Sequence, residues 1–124
     1  MNWYYGISQI NVHCEEMGDD LCVTICGGDR PHIGSVAVAE PRPSLTGNGN
    51  TSSTVSTYNF VGHKDNEVAN VVAQEVASTL QRRTVVVCGI HYNIVNAELF
   101  QSVTNLTGQI IRDIVSYHRK NAPT

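Results

Sequence analysis

Three short stretches of this chain set histidine beside or near glycine, among other groups able to hold a polar ligand. They are Gly27-Gly28-Asp29-Arg30-Pro31-His32-Ile33-Gly34, Gly62-His63-Lys64-Asp65-Asn66, and Gly89-Ile90-His91-Tyr92-Asn93. In the first, glycine permits close backbone approach and positive φ, while Pro31 fixes its φ near about −65° and keeps Asp29-Arg30 out of a helix. Such a loop offers backbone N–H groups and His32 in a fixed geometry, although a decorated hairpin turn explains the same residues. In the second, the free N–H groups of a helix start attract an anion, with Lys64 and His63 adding charge and donors. The alternative there is self-capping by Asp65 with Lys64 in solvent. The third ends an apolar run, where ligands of open sheets gather.

Other chemistry is poorly supported. His32, His63 and His91 lie about thirty residues apart with no local pair, so hydrogen-bonded loop histidines are preferred to a metal site. His13 and His118 are given no role. There is no Gly-x-Ser-x-Gly and no phosphate-binding Gly-x-x-x-x-Gly-Lys, and Gly27-Gly28…Gly34 departs from the dinucleotide fingerprint. His63 and Asp65 two apart need not touch, so no catalytic residue is assigned.

The elements that must position these stretches can be read from hydrophobic period. Leu21, Val23 and Ile25 alternate with Cys22, Thr24 and Cys26, and Val36 and Val38 with Ala37 and Ala39, which predicts a strand on each side of the first stretch. Trp3 to Glu16 alternates but slips phase between Ile7 and Ile10, as a bulged or curved edge strand would. Pro41-Arg42-Pro43 is expected to end the strand begun at Ser35, and Ser44–Ser53 to form a polar loop before a strand over Thr54–Phe60. A helix follows from Gly62, with Val68, Val72, Val76 and Leu80 in one stripe beside Ala69, Ala73 and Ala77, closed by Arg82-Arg83. Thr84–Ile90 is apolar without alternation and predicts a strand covered on both faces. Asn96 caps a second helix carrying Leu99, Val103, Leu106, Ile110 and Ile114, and Tyr117–Thr124 reads as a frayed tail. The expected fold is one α/β (α+β) domain over 1–124. It has a mixed, mainly antiparallel sheet of about five strands with two helices, in the order β-β-β-β-α-β-α.

Composition narrows the partners. With 124 residues, 41% hydrophobic, the chain can bury one core. A net charge of −3 gives no basic footprint for nucleic acid. Charged residues are only 15%, which suggests a surface partly covered by another subunit. No apolar run spans a membrane and the first residues lack a signal-peptide pattern, so a cytoplasmic protein is expected. Cys14, Cys22, Cys26 and Cys88 form no C-x-x-C pair and are read as free thiols.

Taken together and in order, the three stretches resemble the small D-subunit-like proteins of gallate decarboxylase systems, over about Asp19 to Ile114. That resemblance implies a non-catalytic chaperone that carries prenylated flavin mononucleotide, or plain flavin mononucleotide (FMN), from a flavin prenyltransferase to a UbiD-like decarboxylase acting on aromatic acids. It also implies a fold similar to proteasome assembly chaperones, paired as a homodimer. The matched site positions are Gly28, Pro31, His32, Ile33, Gly34, His63, Lys64, Asp65, Asn66, Gly89, His91, Tyr92 and Asn93. Within them, Lys64, His63 and the helix start would hold the flavin phosphate. Gly28, Pro31, His32 and Gly34 would form a wall, and His91, Tyr92 and Asn93 would close the pocket, with Tyr92 stacking on the ring. Two other readings stay open: an assembly chaperone with no small ligand, and a decarboxylase subunit with His63 or His91 as acid or base.

Overall fold

A computed structural model describes residues 1–43, 51–60 and 66–120. Six strands form one sheet: β1 (Asn2–Tyr5), β2 (Ile10–Met17), β3 (Asp20–Gly28), β4 (Ser35–Pro43), β5 (Thr51–Asn59) and β6 (Thr84–His91). The helices are α1 (Asn66–Leu80) and α2 (Ala97–Lys120). Spatial order is β1-β2-β3-β6-β4-β5. Among the described residues β3 and β6 pair in parallel and the other neighbouring strands are antiparallel. The mixed, mainly antiparallel class is as expected, with one strand more.

The extra strand comes from the N-terminus. The phase slip between Ile7 and Ile10 is a turn joining β1 to β2, where Gln9 takes φ 55° and its N–H bonds Gly6 O at 3.3 Å. A bulge and a tight turn both break period-two alternation, which is why one strand was read instead of two.

A second difference lies at Pro41-Arg42-Pro43, which continue β4 opposite Ser53, Ser52 and Thr51. β6 pairs only with Ser35–Ala39, so beyond Ala39 the strand is bonded on the β5 side alone. A strand with one open side tolerates proline. β5 correspondingly starts at Thr51, three residues before the predicted Thr54.

Both helices cover the same face of the sheet. Ile10, Val12, Leu21, Val23, Ile25, Ala37, Ala39, Val86 and Cys88 point into the core against Ala69, Val72, Ala73, Val76 and Ala77 of α1 and Ile110 and Ile114 of α2. The alanines let α1 lie close to the sheet, as the stripe predicted. α1 ends at Leu80 with Gln81 in the left-handed region (φ 57°) and Arg82 N–H on Ala77 O, a Schellman-type stop. The Asn96 side chain caps α2 by accepting from Leu99 N–H at 2.9 Å.

Among the described residues, no helix lies on the opposite face. Val85 and Val87 of β6 lie there half-buried, beside Cys22, Thr24, Val36 and Val38. β6 is therefore covered by helix on one face only, and its unbroken apolar run furnishes both the core and this open face. The tail expectation also changes. α2 runs to Lys120, and His118 is buried with Nδ1 2.8 Å from Ile114 O and Nε2 3.3 Å from Glu16 Oε1. That histidine fastens the helix end to β2.

Candidate functional site

The strand order creates the site. β3 and β4 are consecutive in the chain, yet β6 lies between them in the sheet. The connection Asp29–Gly34 must therefore pass over the C-terminal end of β6, a span of two strand spacings, roughly 10 Å. It passes at Gly89, where an added Cβ would stand 1.6 Å from His32 O and 2.3 Å from its carbonyl carbon. No side chain fits beneath the loop there. Gly28 turns the chain out of β3 with φ +74°, and a Cβ on it would meet His91 O at 2.3 Å. The glycines of the first and third stretches are thus the points where two backbones touch.

Hydrogen bonds then lock the crossing. Asp29 N–H bonds His91 O at 2.7 Å and Arg30 N–H the same oxygen at 3.3 Å. The Asp29 carboxylate accepts Asn93 N–H at 2.9 Å. Gly34 N–H bonds Cys88 O at 2.9 Å, and Gly34 O accepts from Phe60 N–H at 2.9 Å. The Tyr92 hydroxyl donates to Ser8 O at 2.5 Å, and Gly28 N–H to Gln9 O at 3.0 Å. Burial, reinforced by the nearby Asp29 charge, raises the Tyr92 phenol above its ordinary pKa and keeps it a donor.

Two imidazoles stand on this frame. The rings of His32 and His91 are 6.5 Å apart, nearly perpendicular at 77°, and His32 Nδ1 lies 3.1 Å from Arg30 O. His91 and Pro31 are exposed and His32 is half-buried. Two neighbouring imidazoles on a ridge of fixed backbone offer ring nitrogens to the heteroatoms of a polar ligand. Among the described residues no cluster of three His, Cys, Asp or Glu could hold a metal ion.

Nine of the predicted site residues share this end of the sheet: Gly28, Pro31, His32, Ile33, Gly34, Gly89, His91, Tyr92 and Asn93. His63, Lys64 and Asp65 lie outside the described residues, and of Asn66 only its place as the first residue of α1 is described. Tyr92 spends its hydroxyl on Ser8 and packs its ring beside Gly28, so it serves the frame. The sequence reading missed two contributors, the Gly6–Gln9 turn and the Asp29 carboxylate. The slip after Ile7, next to Gly6, was the available signal for the first. The second had no local signal, because its partner is sixty-four residues away.

The fold and site define a small α+β domain, a mixed sheet covered by helices on one face, with a glycine-lined loop crossing over at one end. Residues 5–119 match the family model of the prenylated flavin chaperone LpdD-like domain, and the chain belongs to that family. A curated relative, Protein LpdD of Lactiplantibacillus plantarum, is 27% identical over 115 residues, covering 88% of this chain and 76% of its own.

Proposed function

We propose that this protein holds prenylated FMN without turning it over and hands it to a UbiD-like decarboxylase after receiving it from a flavin prenyltransferase. The observation that carries this reading is the joining of the first and third histidine stretches at one sheet end, in a chain of the prenylated flavin chaperone family. The cradle suits such a cargo. Its wall is backbone fixed by a crossing loop, so little ordering is lost when a flat ring arrives. His32 and His91 supply ring nitrogens for the polar edge of the isoalloxazine, and Gly28, Pro31 and Gly34 shape the wall. His63, Lys64 and the start of α1 would take the phosphate, the role that a helix N-terminus with a lysine fills well.

The carrier works as a homodimer in this reading, joined through the helix-free sheet face. Cys22, Val85 and Val38 form one row of that face, and Thr24, Val87, Val36 and Tyr58 the next. Five strands of eight or nine residues and the four-residue β1 present roughly 700 Å² of surface, near what each partner buries in a standard interface. A second copy packed sheet to sheet would also explain a surface poor in charge.

The phosphate assignment is tested by Lys64→Ala and His63→Ala. Each is expected to weaken prenylated FMN binding about tenfold, the loss of one charge-assisted contact, and to leave the unfolding midpoint in urea unchanged. Equal affinity in both variants removes the phosphate site.

A further inference from the structure

The segments that meet at the crossing loop carry large exposed apolar side chains. Ile7 sits on the β1–β2 turn, Ile33 on the crossing loop, Phe60 at the end of β5, Ile94 and Val95 between β6 and α2, and Phe100 on the first turn of α2. All are exposed, and Ile7 (104%), Ile94 (80%) and Val95 (71%) almost completely so. Hydrogen bonds join the β1–β2 turn, the crossing loop, the end of β5 and the segment after β6. Ser8 beside Ile7 accepts from Tyr92, Asn93 beside Ile94 donates to Asp29, and Phe60 donates to the loop at Gly34. Surface loops are served equally well by polar residues, so apolar ones gathered round one mouth mark a contact surface.

We propose that this rim is the surface on which the acceptor enzyme docks during transfer of the flavin, an inference that rests on the carrier reading above. Handing a reactive ligand from one pocket to another without releasing it into water requires the two mouths to meet inside a ring that excludes solvent. Apolar side chains surrounding a polar centre provide that ring. Among the described residues the charges beside the rim are Asp29, Arg30 and Glu98, without the cluster of basic side chains that draws apolar loops to an anionic lipid surface. A second copy seated here would seal both cradles against each other, and the sheet face is the broader surface for it. The acceptor is therefore a protein whose cofactor entrance is itself rimmed by apolar residues.

The test uses the double variant Ile94→Ser/Val95→Ser in the full chain, with the unaltered protein beside it. The expected result is an unchanged Kd for prenylated FMN, with anaerobic transfer from the loaded carrier to an apo UbiD-like decarboxylase slowed about tenfold or more. Direct association of the ligand-free carrier with the same apo-enzyme, followed by sedimentation, should fall in parallel. An unaltered transfer rate overturns the proposal, as does equal association of both proteins or association of neither. Failure of the unaltered protein to bind prenylated FMN strikes the carrier reading instead, and the sedimentation result then decides the docking surface by itself.

Discussion

Gly89 bears the crossing of the loop over β6, and its substitution gives the clearest single-residue prediction. Its φ is not positive, so Gly→Ala there would ordinarily stabilise by about 0.4–1 kcal/mol through the unfolded chain. With His32 O only 1.6 Å from the new Cβ, the loop must move. Gly89→Ala is therefore expected to lower stability by about 1–3 kcal/mol in urea titration and to weaken flavin binding with it. A stabilised variant would mean that the loop does not cross there. Gly89 and Gly28 were legible as glycines in sequence, but not what each touches. Cβ room depends on β6 lying between β3 and β4, a pairing of residues forty-five to sixty-three positions apart. The residue types of the site could be read locally, while their meeting could not.

At the scale of elements, the buried end of α2 against β2 carries a pH dependence. Cys14 is buried next to His118, its Sγ 3.8 Å from Nε2, and burial pushes its thiol up to about 11 from an ordinary 9.0. The folded chain thus keeps its proton where the unfolded chain has lost it. This contribution is complete below pH 9 and disappears as the pH rises towards 11. Its size is on the order of 2 kcal/mol. Denaturant titrations at pH 8 and 10.5 should show the loss, and Cys14→Ala should show less of it; an identical loss in the variant would assign the effect to other groups. The helices themselves were the most readable elements. Their stripes, the Asn96 cap and the Val-Ala face of α1 all follow from period and capping chemistry. Misread boundaries fell where two local signals conflict. Proline in β4 argued for a strand end, and only the one-sided pairing explains its presence. His118 in a polar tail argued for fraying, and only the Glu16 and Ile114 contacts explain its burial.

Among the described residues, exposed apolar side chains gather on the sheet face away from the helices and around the crossing loop. The first argues for self-association, which Val38→Glu should abolish. Val38 is 47% exposed on that face, on β4 one strand in from the sheet edge, so a charge is tolerated in the monomer and costly in a sheet-to-sheet interface. Sedimentation of the parent is expected at about twice the 13.5 kDa chain mass and of the variant at the chain mass itself. A parent sedimenting as a monomer would contradict the dimer. The low content of charge was the only trace of this face in composition; its alternation with the core was already present in β3 and β4, and β6 hid it by being apolar on both sides. The measurement that bears most directly on function is anaerobic titration of the protein with prenylated FMN against plain FMN, followed by calorimetry. Saturable binding at one site per chain, tighter for the prenylated form, is the expected result. Absence of binding to either flavin would contradict the carrier function.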